Sequence, residues 1–194
     1  MCIRDRSELA LLQMSVNVPT SYPTLLQGLL RGRYTSQSVD VVNEGLAGEP
    51  IEGGVTRLPS VLAADMPQVL LLQEGINNLN SGDPASVPFV VNGLRTMVRD
   101  ARSRGVTVFV GTLLPERASS CRGGGGYALV PSANDGIRAM SASEGAYLVD
   151  LYNAFGGVAS TDLIGVDGLH PTAAGYQKMA DTFYAEIRNR LEAH

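Results

Sequence analysis

The chain reads as an α/β domain built on a parallel sheet covered on both faces. Three observations predict this. Four short runs rich in Val, Leu and Ile recur along the 194 residues, longer stretches with helical spacing separate them, and Gly, Pro or Asn bounds each run. The expected strands lie at 38–43 (SVDVVN), 68–73 (QVLLLQ), 106–112 (VTVFVGT) and 146–151 (AYLVDL). Ser21, with Pro23 in the first turn, opens a helix that places Leu25, Leu26, Leu29 and Leu30 on one face. The helix expected over 87–104 aligns Val90, Val91, Leu94, Met97, Val98 and Ala101, and Gly105 stops it. Its Arg95, Arg99 and Arg102 share the polar side, which reads as a solvated face without function. Further helices are expected near 55–64, 132–144 and 171–192. The last carries Tyr176, Met179, Ala180, Phe183, Ile187 and Leu191 at spacings of three and four, with Pro171 suited to its first turn. The longest connection, 113–131, holds Cys121 and the glycines 123 to 126, and reads either as a mobile substrate-side loop or as a plain insertion.

Composition narrows the function. At 44% apolar and 18% charged, the chain falls in the range of one globular domain, with no repeat and no composition shift to mark a second. A net charge of −4 and a pI near 5.1 argue against a nucleic-acid partner, which needs a concentrated basic face. No apolar run approaches the ~20 residues that cross a bilayer, and the first residues lack a signal-peptide layout. Cys2 and Cys121 supply neither a Cys-rich zinc site nor a disulfide framework, and they leave the redox compartment open. Lys178 is the one lysine, late in an expected helix, which excludes a P-loop and argues against Schiff-base chemistry. The histidines are His170 and His194, so a histidine base points to His170.

In an open parallel sheet, the loops leaving the carboxyl ends of the strands form the ligand crevice. After the first expected strand comes Asn43-Glu44-Gly45-Leu46-Ala47-Gly48-Glu49-Pro50, then Gly53-Gly54. Glycines there let backbone N–H groups approach a ligand oxygen, although an ordinary turn explains them as well. After the second comes Glu74-Gly75-Ile76-Asn77-Asn78, where the Asn77 amide could donate to a developing oxyanion or simply serve the turn. Before the last helix comes Asp167-Gly168-Leu169-His170-Pro171. A spacing of three in a tight turn can bring a carboxylate to imidazole Nδ1 and leave Nε2 as general base; a surface histidine capping the next helix is the alternative.

Taken together, the Gly-x-x-Gly loop, the Gly-Ile-Asn-Asn block and the Asp-Gly-Leu-His-Pro block resemble the SGNH hydrolase family, also called GDSL lipases and esterases, from about Ser21 to the end. The resemblance implies a flavodoxin-like three-layer α/β/α fold and hydrolysis of carboxylic esters through an acyl-enzyme. It implies Gly48 and Asn77 as oxyanion donors, His170 as general base and then acid, and Asp167 as its orienter. It implies neither a metal nor an organic cofactor, and a small-molecule ester as substrate. Two departures stand out. Asn78 occupies the place where the family usually has Asp, a change expected to tune local packing. The family's nucleophile block, an apolar strand followed by Gly-Asp-Ser, does not occur. Separately, Met1-Cys2-Ile3-Arg4-Asp5-Arg6 has neither strand nor helix periodicity, so residues 1–7 read as a non-native prefix and 8–194 as a single domain lacking that block. Ser7 and Ser15 are the serines nearest the vacant place. The first, central strand is then expected to be missing, which predicts an unstable, aggregation-prone and inactive chain; a cooperative melt above about 60 °C would be the contrary result. The rival functional readings are a catalytically dead binding protein that keeps the same pocket, and a flavodoxin-like nucleotide or cofactor binder using the Gly45–Gly54 loop. Acyl and alcohol specificity, compartment and oligomeric state leave no signal in these residues.

Overall fold

The structure, a computed structural model, describes residues 20–118 and 125–192. Strands β1 (Val69–Leu72), β2 (Thr107–Gly111) and β3 (Tyr147–Val149) form a parallel sheet in the order β1-β2-β3. Val69 lies opposite Thr107 and Phe109 opposite Tyr147. The helices are α1 (Tyr22–Arg33), α2 (Ile51–Asp65), the short α3 (Ile76–Leu79), α4 (Ser86–Ser103), α5 (Val130–Glu144), the short α6 (Leu151–Ala154) and α7 (Ala173–Leu191).

Alternation along the strands divides the interior in two. Leu72, Val108 and Val110 join a core with Ile51 and Leu58 of α2, Leu94 and Val98 of α4, and Ile137 and Met140 of α5. Phe109 and Val149 point the other way, toward Leu26 of α1 and Met179 and Phe183 of α7. The result is three layers, α/β/α, as expected. Fully burying such a side chain contributes roughly 1.5–3 kcal/mol, so both faces of the sheet bind their helices strongly. At the carboxyl end of β2, the buried Asn134 side chain pairs with the Leu113 backbone, accepting at 2.8 Å and donating at 2.9 Å. That amide-to-amide pairing satisfies buried polar groups and anchors the strand end to α5.

Three expectations need correction. Residues 38–43 form no strand. Side chains of α1 take their backbone groups instead: Gln27 Oε1 accepts from the Val41 N–H at 2.7 Å, and Arg31 Nε donates to the Val39 carbonyl at 2.7 Å. Helix α2 begins at Ile51 rather than 55, which puts Gly53 and Gly54 inside a helix and removes them from any ligand-binding loop. Its first N–H is capped from a distance, by Asn78 Oδ1 at 2.8 Å. The arginine face of α4 is not simply solvated: Arg99 makes two 2.8 Å bonds to the Glu144 carboxylate, Arg95 pairs with it at 3.2 Å, and Arg102 donates to the Glu144 carbonyl. These cations offset an acid placed at the unfavourable, carboxyl end of α5.

Three expected helices otherwise stand with shifted ends, α5 starting at Val130 and α7 at Ala173. Pro171 precedes α7, and Thr172 caps it by accepting from the Gly175 N–H at 3.1 Å. The prefix 1–7, residues 8–15, Cys2, Cys121, Ser7 and Ser15 lie outside the described residues. The described end of the long connection, Gly126–Leu129, is a turn of 3-10 helix leading into α5. No helix among the described residues is long and apolar enough to cross a membrane.

Candidate active site

The Asp167–His170 segment is a closed turn. Gly168 adopts φ +79°, a conformation that favours glycine, and its N–H donates to the Gly165 carbonyl at 3.0 Å. The Gly165 N–H returns to the His170 carbonyl at 2.7 Å. Within that frame Asp167 Oδ1 accepts from the Leu169 and His170 N–H groups, both at 3.1 Å, and Oδ2 accepts from His170 Nδ1. A carboxylate is acceptor-only, so Nδ1 carries a proton, and in the neutral ring Nε2 carries the lone pair. Burial pushes the Asp167 carboxyl up, but the His170 ring and the backbone donors outweigh it and hold the group at about 2. Asp167 is therefore an anion at neutral pH.

Gly48 and Asn77 come together through Glu49. Gly48 is exposed, with φ +73°, and the carbonyl of its neighbour Glu49 accepts from Asn77 Nδ2 at 3.0 Å. Asn77 sits on α3, directly beyond the carboxyl end of β1. Asn78 ties α3 to α2 twice: Oδ1 accepts from the Ile51 N–H, and Nδ2 donates to Glu52 Oε2 at 2.9 Å. The neutral amide can donate to Glu52, which a carboxylate at that place could not do. Residues 43–50, α3 and the Asp167 turn thus carry all four candidate residues as two joined pairs.

Sequence reasoning missed the two arginines that hold these pairs. Arg117 Nη1 donates to the carbonyls of Ala159 at 3.0 Å and Ile164 at 3.2 Å, Nη2 donates to that of Gly165, and its own N–H donates to the Gly168 carbonyl at 3.0 Å. The segment leaving β2 is thereby fastened to the Asp167 turn. Its partners are backbone carbonyls 42 or more positions away, which leave no pattern in the sequence. Beside Gly48 and Asn77, Arg57 of α2 grips Glu49 with Nε at 2.9 Å and Nη2 at 2.8 Å, and also donates to the Glu44 carbonyl at 2.8 Å. A bidentate arginine fixes both position and orientation of its carboxylate. Among the described residues, no group of three or more His, Cys, Asp or Glu is arranged to hold a metal ion.

The model of the GDSL-like lipase/acylhydrolase family matches residues 12–178, and the chain belongs to that family, hydrolases acting on ester bonds. Over 168 residues it is 27% identical to Esterase TesA of Pseudomonas aeruginosa, a match that spans 84% of this chain and 78% of TesA. Its fold aligns with that of Axe2, an acetylxylan esterase from Geobacillus stearothermophilus, at a TM-score of 0.74 and 20% identity, covering 86% of this chain and 80% of that one. It aligns comparably with LAE5, an alpha/beta hydrolase from the metagenome of Lake Arreo, Spain, at a TM-score of 0.72 and 21% identity, covering 90% and 84%. The expected fold and family stand on these likenesses.

Proposed function

We propose that this chain belongs to an enzyme that cleaves carboxylic esters by a serine mechanism. His170 acts as general base and then acid, Asp167 orients it, and the Gly48 N–H and the Asn77 amide receive the oxyanion. The observation that carries the reading is the Asp167 turn, which supports the one tautomer with the lone pair on Nε2. In the reaction, a serine hydroxyl attacks the carbonyl carbon and passes its proton to Nε2. The tetrahedral oxyanion collapses, the alcohol leaves with that proton, and water repeats the sequence to release the acid. Among the described residues no serine is assigned as nucleophile. Asn77 has two amide hydrogens, and the one not given to Glu49 is the donor proposed for the oxyanion.

Hydrolysis of short-chain p-nitrophenyl esters tests this. With the family's Gly-Asp-Ser nucleophile block supplied ahead of this chain, His170→Gln should lower kcat by ~10²–10⁴-fold, and Asn77→Ala by ~10²–10³-fold. Turnover in His170→Gln within about tenfold of wild type, below the usual range for a lost general base, would overturn the assignment. A chain so supplied that binds the ester without turnover would favour the dead binding protein.

A further inference from the structure

We propose that Glu74 is a positioning residue for the oxyanion side of the site, acting on the Glu49 segment through Arg57 and thereby on the Asn77 amide. The inference rests on the hydrolytic reading and deepens it.

Glu74 lies two residues beyond the end of β1 and three before Asn77, and the hydrolytic mechanism gives it no part. Its carboxyl group packs directly on α2. A Cβ built at Gly54 would stand 2.2 Å from Oε2 and 2.5 Å from Oε1, so this helical position has room for the acid only because it is glycine. Oε1 is buried and has no hydrogen-bond partner among the described residues. An unsatisfied buried carboxylate oxygen costs stability, and a group kept in that condition calls for an explanation.

The surroundings supply one. The charged groups that face Glu74 are Glu49 from the loop after Gly48, and Glu52 and Arg57 from α2. Glu44 lies next in line, on Arg57 at 3.3 Å. Asn78 takes Glu52, and Arg57 is the one cation among these groups, already committed to Glu49. Burial first, then the Glu49 charge, pushes the Glu74 carboxyl up to about 7, so both of its charge states are populated near neutral pH. With Glu74 protonated, Arg57 stays wholly on Glu49, and the Glu49 carbonyl holds Asn77 as observed. With Glu74 ionised, its charge repels the Glu49 carboxylate and draws on the same guanidinium. The loop then loosens, and the acceptor that orients Asn77 moves with it.

The test is a side-chain amide NMR titration of the 13C,15N-labelled 194-residue chain, with the Asn77 resonance assigned from its loss in Asn77→Ala and Glu74 followed directly through its carboxyl carbon. In wild type the Asn77 amide should shift with the same midpoint as Glu74, near 7. In Glu74→Gln that transition should vanish, with the resonance close to its low-pH position. An Asn77 transition that survives in Glu74→Gln overturns the proposal. So does a wild-type Asn77 midpoint that departs from that of Glu74, a comparison that needs no variant and is unaffected if Glu74→Gln fails to fold. The readout is separate from turnover. Loss of the coupling removes this inference alone, whereas turnover that survives His170→Gln removes the hydrolytic reading and leaves the coupling.

Discussion

Asp167 engages both carboxylate oxygens inside one turn, so its charge and the stability of that turn rise and fall together. Its folded value, about 2, lies below the ordinary 3.8 of the unfolded chain. For a depressed carboxylate the stabilisation is present in full above the unfolded value and is lost as pH falls through that value toward the folded one. The urea midpoint of wild type should therefore exceed that of Asp167→Asn at neutral pH, and the gap should close as pH falls from about 4 to about 2. A gap that stays constant over that window would show that the carboxylate charge does not hold the turn. His170 is tied to the same result, since the Asp167 oxygen that receives its Nδ1 proton is one of the two being titrated.

Between elements, Arg117 ties the segment leaving β2 to the Asp167–His170 turn. One guanidinium serves three carbonyls from a stretch that no regular secondary structure organises, while the Arg117 N–H takes a fourth. Hydrogen bonds from a charged donor contribute about 1.5–3 kcal/mol each, so their loss should be felt locally even where the global fold persists. In Arg117→Ala, exchange of the Leu169 and His170 amide protons should quicken by about 10–100-fold, the equivalent of about 1.4–2.7 kcal/mol. Unchanged exchange at those two amides would remove Arg117 from the support of the site. The arginines of α4 differ in consequence: Arg99 is exposed, and solvent screens its pair with Glu144.

At the scale of the molecule, one thin sheet separates two cores, and β2 feeds both by alternation. Leu94 lies in the core under α2, α4 and α5, and Phe183 in the core under α1 and α7; both are fully buried. Truncating either to alanine should cost about 2–5 kcal/mol. Because Val108, Phe109 and Val110 belong to one strand, both variants should shift a single cooperative unfolding transition. A variant that melts one face first, seen as two transitions in far-UV dichroism against urea, would show the cores to be separate units. Phe183 also stacks on Tyr22 at 5.3 Å between ring centres, which joins α7 to α1 across the chain's length.

The amino-acid sequence by itself determined the layer pattern, three of the strands, the five long helices within a few residues, and the Asp167–His170 pair. Each of these is local: a period of two or 3.6, a capping residue, or two partners three positions apart on a glycine turn. The strand expected over 38–43 failed because a strand needs a neighbour as well as alternation, and α1 side chains took its backbone groups instead. The early start of α2 was hidden because its cap is Asn78, 27 positions away. Gly54 was read as a loop residue, although its smallness serves the Glu74 carboxyl. The grip of Arg57 on Glu49 and of Arg117 on the Asp167 turn was decided by tertiary structure alone. A guanidinium finds its carboxylate or carbonyl through space, and nothing in the spacing of residues along a chain records which loops the fold will bring within its reach.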